Sequence, residues 1–231
     1  MSSPESFKQA WIEEYKRKGI PSSFRKDPTK TVVEFISWWK RKNYPLRGIA
    51  ADIGCGLGRN SFYLASLGFD VYGLDLLEEN VRHVNEVALD KKLPVHAFAH
   101  DVSTDWPMDS HAFDVVIDVF CYKHILTKEK QALYRQQLWK ALKPQGIYFI
   151  SLASENDGFY GPCLNDAIDR KTKQIVDPYS KIPSFLYSLN DLKNEFSDCL
   201  EPLELDEQRS KSPMYEKEYS RAVINGIFIK R

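Results

Sequence analysis

Gly48-Ile49-Ala50-Ala51-Asp52-Ile53-Gly54-Cys55-Gly56-Leu57-Gly58 decides the fold of this chain, together with residues 59–67 that follow it. An apolar run leads up to Ile53, and glycines then stand at alternate positions 54, 56 and 58. In 59–67 the apolar residues Phe62, Leu64, Ala65 and Leu67 fall at helical spacing, and Gly68 supplies a helix stop. Strand, glycine turn and helix form the opening unit of a nucleotide-binding α/β domain. Glycine is required in such a turn because a Cβ would keep a ligand away from the backbone.

The next strands extend the pattern. Residues 69–74 form a short run ending in Asp75, about 20 residues past the glycines, where a carboxylate can accept both ribose hydroxyls of a nucleoside. Residues 95–99 lead to His100-Asp101-Val102, and an acid at that strand end can accept from an adenine amino group. Dinucleotide enzymes space their glycines G-x-G-x-x-G, which seats a pyrophosphate on the helix N-terminus. Here the third glycine comes one residue early, Arg59 takes the place of the dinucleotide motif's third glycine, and Asp52 stands two residues before the first. That arrangement suits a ligand with a charged amino-acid tail.

With these residues in view, Asp52 to Gly58, Asp75 and Asp101 resemble the first three motifs of class I S-adenosylmethionine-dependent methyltransferases, over about residues 48–151. The run 55–61, with Tyr63-Leu64-Ala65 and Gly68, is similar to the tellurite-resistance type of small-molecule methyltransferase. The resemblance implies S-adenosylmethionine as cofactor and a Rossmann-like, doubly wound, seven-stranded, mostly parallel sheet with an antiparallel last strand and leading N-terminal helices. It also implies residue roles. Gly54, Cys55, Gly56 and Gly58, with Asp52, Arg59 and Asn60, would approach the methionine part. Asp75 and Leu76 would hold the ribose, Asp101 and Val102 the adenine, and Asp118 with Val119 the amino group or sulfonium side.

Composition fits that reading. A 231-residue chain with 43% hydrophobic and 28% charged residues suits one α/β domain with small additions. Zero formal net charge gives no global pull toward nucleic acid or anionic membrane. Residues 1–50 carry 11 Lys/Arg against 5 Asp/Glu, a local excess of +6 that reads as a solvated helical face. Cys55, Cys121, Cys163 and Cys199 are widely spaced, form no C-x-x-C pair and read as reduced thiols. No metal is expected. The N-terminus lacks the apolar core of a signal peptide, and no run is long and apolar enough for a membrane span, so a cytoplasmic monomer or homodimer is expected.

In chain order, residues 6–18 read as a helix, and Asp27-Pro28 as an N-cap and first position of a second helix running to about Lys42. Residues 1–47 thus form helices capping a core domain, 48–231. A third helical segment spans 78–91. Residues 113–120 are apolar except for Asp114 and Asp118, as suits a strand covered on both faces. Thr127 caps a helix over 128–142, and Lys143-Pro144-Gln145-Gly146 turns into a fifth strand at 147–152. That turn resembles the superfamily's L-K-P-G-G, with Gln145 in place of the first glycine. Residues 154–183, polar and rich in Gly and Pro, read as a lid or substrate insertion. A helix at 188–196 and strands at 202–205 and 222–229 complete the chain.

Methyl transfer is an in-line displacement in which the protein mainly aligns nucleophile and methyl, so a base is needed only for a protonated nucleophile. His124 is the candidate base, because 118–124 would line the reacting end. Tyr122, Tyr160 and Tyr179 are candidates to shape the substrate site. Cys163 follows the fifth strand and not the fourth, which argues against a cytosine-methyltransferase thiol. Asp166 and Asp169 lack a neighbouring histidine for a metal. Three classes remain: a small-molecule methyltransferase, favoured here; an RNA or protein methyltransferase; and a non-catalytic cofactor-binding regulator. Asp118-Val119-Phe120-Cys121 departs from the Asp/Asn-Pro-Pro-aromatic motif of amino-methylating nucleic-acid enzymes, and no basic, aromatic-interleaved face is present. A nucleic-acid partner is therefore not expected.

Overall fold

A computed structural model describes residues 4–167 and 171–231. Five strands run parallel: β1 (Gly48–Ile53), β2 (Phe69–Asp75), β3 (Val95–Ala99), β4 (Phe113–Val119) and β5 (Leu142–Ala153). Two short strands, β6 (Gln174–Val176) and β7 (Pro183–Phe185), pair with each other outside the main sheet. β8 (Glu201–Met214) and β9 (Lys217–Ile229) form a hairpin, and the main sheet is ordered β3-β2-β1-β4-β5-β9-β8. The last strand in sequence, β9, lies antiparallel to both neighbours. This is the doubly wound architecture expected from the sequence.

Register matters more than order for the site. Asp52 lies level with Gly73 of β2, Ile53 with Asp118 of β4, and Asp75 with Ala99 of β3. The carboxyl ends of the central strands therefore finish along one edge. Strand order reverses between β1 and β4, and a crevice opens there in such sheets.

Each face is covered because the helices carry apolar stripes. On one face, α2 (Lys30–Arg41), α3 (Arg59–Leu67) and α4 (Glu78–Lys91) bury Val32, Phe35, Ile36, Leu64, Val84 and Ala88. Phe35 stacks on Phe149 of β5 at 4.6 Å. On the other, α5 (Lys128–Ala141) and α6 (Leu189–Phe196) bury Tyr134, Leu138, Leu192 and Phe196. The first helix, α1 (Pro4–Arg17), reaches toward the glycine loop through Tyr15. Thr127 accepts from Lys130 N, and Ser188 with Asp191 forms a full capping box.

Four expectations change. The second helix starts at Lys30 behind Thr29, not at Pro28 behind Asp27, and the Thr29 N–H goes to Asn60 Oδ1 at 2.9 Å. β5 begins five residues early, at Leu142, and absorbs the expected turn. Gln145 there takes φ +64°, the left-handed conformation a glycine adopts without strain, and its N–H is held by Lys230 O at 2.8 Å. The last hairpin is far longer than 202–205 and 222–229, because its outer residues pair strand to strand without an apolar face to announce them. Residues 154–183 contain built structure: a 3-10 helix at Gly161–Asp166 and the β6–β7 ladder. Asp169, named above, lies outside the described residues.

Candidate active site

Gly54, Gly56 and Gly58 have φ of +70°, +56° and +80°, where side chains are strained. The loop folds over the end of β2, with the N–H groups of Gly54 and Cys55 donating to Leu74 O at 2.8 and 2.9 Å. Gly56 N–H donates to Asp75 Oδ2 at 2.8 Å. Asp75 Oδ1 accepts from Leu77 N and from Asn80 Nδ2. Asp52 accepts from Ser61 Oγ at 2.6 Å, which fixes the carboxylate beside α3. Asp118 receives Cys121 N, Tyr122 N and the Tyr134 hydroxyl.

All three acids are buried. Burial raises each above the carboxylate range, Asp52 to about 6 and Asp118 to about 7, with their hydrogen bonds opposing the rise. None has an ion-pair partner among the described residues; Arg59 acts on Asp52 only from beyond that range. Three buried carboxylates without cations beside a tight glycine loop fit a cationic ligand and would repel a pyrophosphate. The donor set therefore fits a nucleoside bearing a sulfonium and an ammonium.

α1 closes this cleft. A Cβ built on Gly56 would stand 2.6 Å from the Tyr15 hydroxyl, and Tyr15 also bonds the side chain of Asn80. Burial and the charge of Asp75 push the Tyr15 phenol well up. Helical spacing places Tyr15 only among the aromatics of the first helix, which could cap a pocket or pack on the core, and Asn80 carries no signal in the sequence. Tyr15 sits in an ordinary amphipathic helix, and only the fold brings it to the glycine turn.

Other candidates land unevenly. Cys55 is buried, its sulfur against Gly73, and Leu76 and Val119 are half-buried near the strand ends. Asp101 is exposed, with Oδ1 accepting Ser103 N and Oγ. Val102 is buried beneath Trp106, whose Nε1 donates to Val102 O. Asn60 Oδ1 accepts from Thr29 N, so its side chain ties α3 to the start of α2. Tyr122 also needs correction. Its ring is fully buried against Tyr134 and Phe196, and its hydroxyl bonds Glu195 at 2.7 Å and Arg135 at 3.0 Å. It braces α5 and α6 and cannot line an open pocket.

His124 Nδ1 donates to Pro183 O at 2.9 Å, and its ring packs on Trp11 of α1. Burial, reinforced by Lys123, drives it down to about 3. It stays neutral at physiological pH and is a weak proton acceptor, so a role as general base is not carried forward. Tyr160 is buried and Tyr179 exposed, the latter stacked on Tyr215 at 4.4 Å.

Lys123, inside the run read as the reacting end, is a residue that sequence reasoning passed over. It is buried, and its Nζ lies 4.2 Å from the centre of the Tyr160 ring. Burial lowers it to about 8. Asp157, also buried, accepts from Phe159 N, Tyr160 N, Ala222 N and Arg221 Nε, which locks the segment after β5 to the start of β9.

Residues 50–146 match the family model for a methyltransferase domain. This part of the chain is similar to the domains of S-adenosylmethionine-dependent methyltransferases. The chain is 27% identical over 148 residues to a Haemophilus influenzae (strain 10810) protein named probable S-adenosyl-L-methionine-dependent methyltransferase TehB, covering 64% of this chain and 44% of that protein. It is 36% identical over 102 residues to a wheat (Triticum aestivum) phosphoethanolamine N-methyltransferase, covering 43% of this chain and 19% of the relative. Among solved structures, a Burkholderia thailandensis 1,6-didemethyltoxoflavin-N1-methyltransferase with bound 1,6-didemethyltoxoflavin and S-adenosylhomocysteine superposes with a TM-score of 0.69. That match has 16% identity and covers 100% of this chain and 91% of the other, so it speaks to fold alone. The chain spans about half the length, or less, of the curated relatives it matches. Among the described residues, no helix is long and apolar enough to cross a membrane.

Proposed function

We propose that the chain transfers the methyl group of S-adenosylmethionine to a small-molecule nucleophile. The observation that carries this reading is the set of buried acids Asp52, Asp75 and Asp118, without cationic partners, around a loop of left-handed glycines. When bound, the cofactor supplies an electrophilic methyl on a positive sulfur. Asp75 would accept from the ribose hydroxyls, Asp101 and Val102 would border the adenine, and Asp52 with Asp118 would stabilise the positive end. α1, through Tyr15, and the segment 154–183 would exclude water and align the acceptor. One relative, named for a small acceptor, supports this class over a macromolecular one. The test is turnover of S-adenosylmethionine with labelled methyl against a metabolite panel and, separately, against total RNA and unfolded protein. Transfer confined to the metabolites is expected; transfer only to RNA or protein overturns the proposal.

A further inference from the structure

The carboxyl end of β4 continues into the 3-10 turn Tyr122–His124, and Lys123 on that turn points toward the segment after β5. It is 2% exposed. Among the described residues its ammonium makes no hydrogen bond and no ion pair, and it sits 4.2 Å over the face of Tyr160. A buried ammonium is costly unless paired, and attraction to an aromatic face recovers only a minor part of that cost.

The charged groups around it are engaged elsewhere. Arg221, 5.3 Å from the same ring, is ion-paired to Asp157 at 2.7 Å. Asp157 has both oxygens filled by Arg221 and backbone N–H groups. Asp177 Oδ1 accepts Tyr179 N, Ser180 N and the Tyr215 hydroxyl. Asp177 Oδ2 is buried and, like Lys123, without a partner among the described residues. Glu14 accepts Gly19 N and Ile20 N. A cation is thus held ready at the acceptor end of the sheet with no resident anion within ion-pair reach.

We infer that Lys123, seated on Tyr160, is the anchor for an oxyanion, a carboxylate or phosphate, carried by the methyl acceptor. This deepens the small-molecule methyltransferase reading and rests on it for the word acceptor, but the anion site itself stands on the cluster alone. Lys123 here positions the acceptor and takes no proton in the transfer.

Two measurements separate the layers. The first uses the full chain and small probes: thermal melting with inorganic phosphate, acetate or neutral acetamide at constant ionic strength. Wild type should be raised by phosphate or acetate and not by acetamide, and Lys123→Met should lose that response. A phosphate response with none to acetate, or the reverse, assigns the oxyanion type within the proposal. Without ligand, Lys123→Met should melt at or above the wild-type temperature, since it removes an unpaired buried charge. If Lys123→Met and Asp177→Asn both melt far below wild type, the lysine belongs to an internal ion pair and the proposal falls. Equal anion response in wild type and Lys123→Met also overturns it.

The second measurement is turnover on the acceptor panel. Lys123→Met should raise KM for an anionic acceptor roughly 10- to 100-fold with S-adenosylmethionine affinity unchanged. If acceptors without any oxyanion are the ones turned over, the anchor role is wrong even though the methyltransferase reading survives. If nothing is methylated and no cofactor binds while the anion response holds, that broader reading fails and the oxyanion site stands alone.

Discussion

The cofactor half of the carboxyl edge and the acceptor half are built by different means. From β1 to the start of β4, short-range rules set the geometry: glycines at fixed offsets, a strand-end acid, and backbone donors from the same loops, as Asp75 shows with Gly56 and Leu77. Beyond β4 the site is assembled by residues distant in sequence. Asp157 meets Arg221, His124 meets Pro183, and Tyr215 meets both Glu14 and Asp177. The first half can be read as a motif because a ligand common to many proteins constrains it locally. The second half has no such local grammar.

That contrast can be broken most sharply at Asp75. Its carboxylate is the acceptor for three donors in the free protein, so Asp75→Ala leaves buried N–H groups unpaired. A loss of about 2–4 kcal/mol of stability is expected in urea unfolding, together with a cofactor affinity at least 10-fold weaker. Burial and these bonds give Asp75 a structural duty in the free protein beside the ribose contact expected of it. A fully stable Asp75→Ala that merely binds less tightly would show that the loop does not depend on this acid.

A smaller effect sharpens the boundary where α1 meets the glycine turn. Gly56→Ala meets both a positive φ and the Tyr15 hydroxyl, and should cost roughly 1–2 kcal/mol. Removing the hydroxyl with Tyr15→Phe should recover part of that loss in the double variant. Strictly additive losses would place Tyr15 away from the loop.

Next comes pH. Burial makes Asp52 and Asp118 hold protons more tightly folded than unfolded, about 6 and about 7 against the ordinary 3.8. The folded state then binds more protons between about pH 4 and 7, so stability falls as pH rises through that window. Asp118→Asn should flatten the decline. A stability that rises across the window would contradict the burial of these acids. A cation in the cleft favours their ionised forms, so affinity for S-adenosylmethionine should climb over the same range.

The smallest effect is expected at the other end of β2. Asp70 pairs with His96 at 3.0 Å, and both are largely exposed. Asp70→Ala should change stability by less than about 1 kcal/mol and leave cofactor affinity unaltered.

How far the sequence reached follows the same division. The glycine turn, Asp75 and the helix over 78–91 follow from spacing, because each is enforced by neighbours within a few residues. Tyr122 was misplaced because motif position says nothing of which way a side chain turns, and it points into packing between helices. The long hairpin escaped because 206–221 is polar on both faces yet paired residue by residue. Lys123 escaped because a single lysine at the end of an apolar stretch looks solvated until a ring 37 residues later covers it.

The measurement closest to the central claim is calorimetric titration of the full chain with S-adenosylmethionine, S-adenosylhomocysteine and NAD near pH 7.5. The account predicts binding of both sulfur nucleosides, weakened at least 10-fold by Asp75→Ala, and no binding of NAD. Tight binding of NAD with no response to either sulfur nucleoside would contradict it.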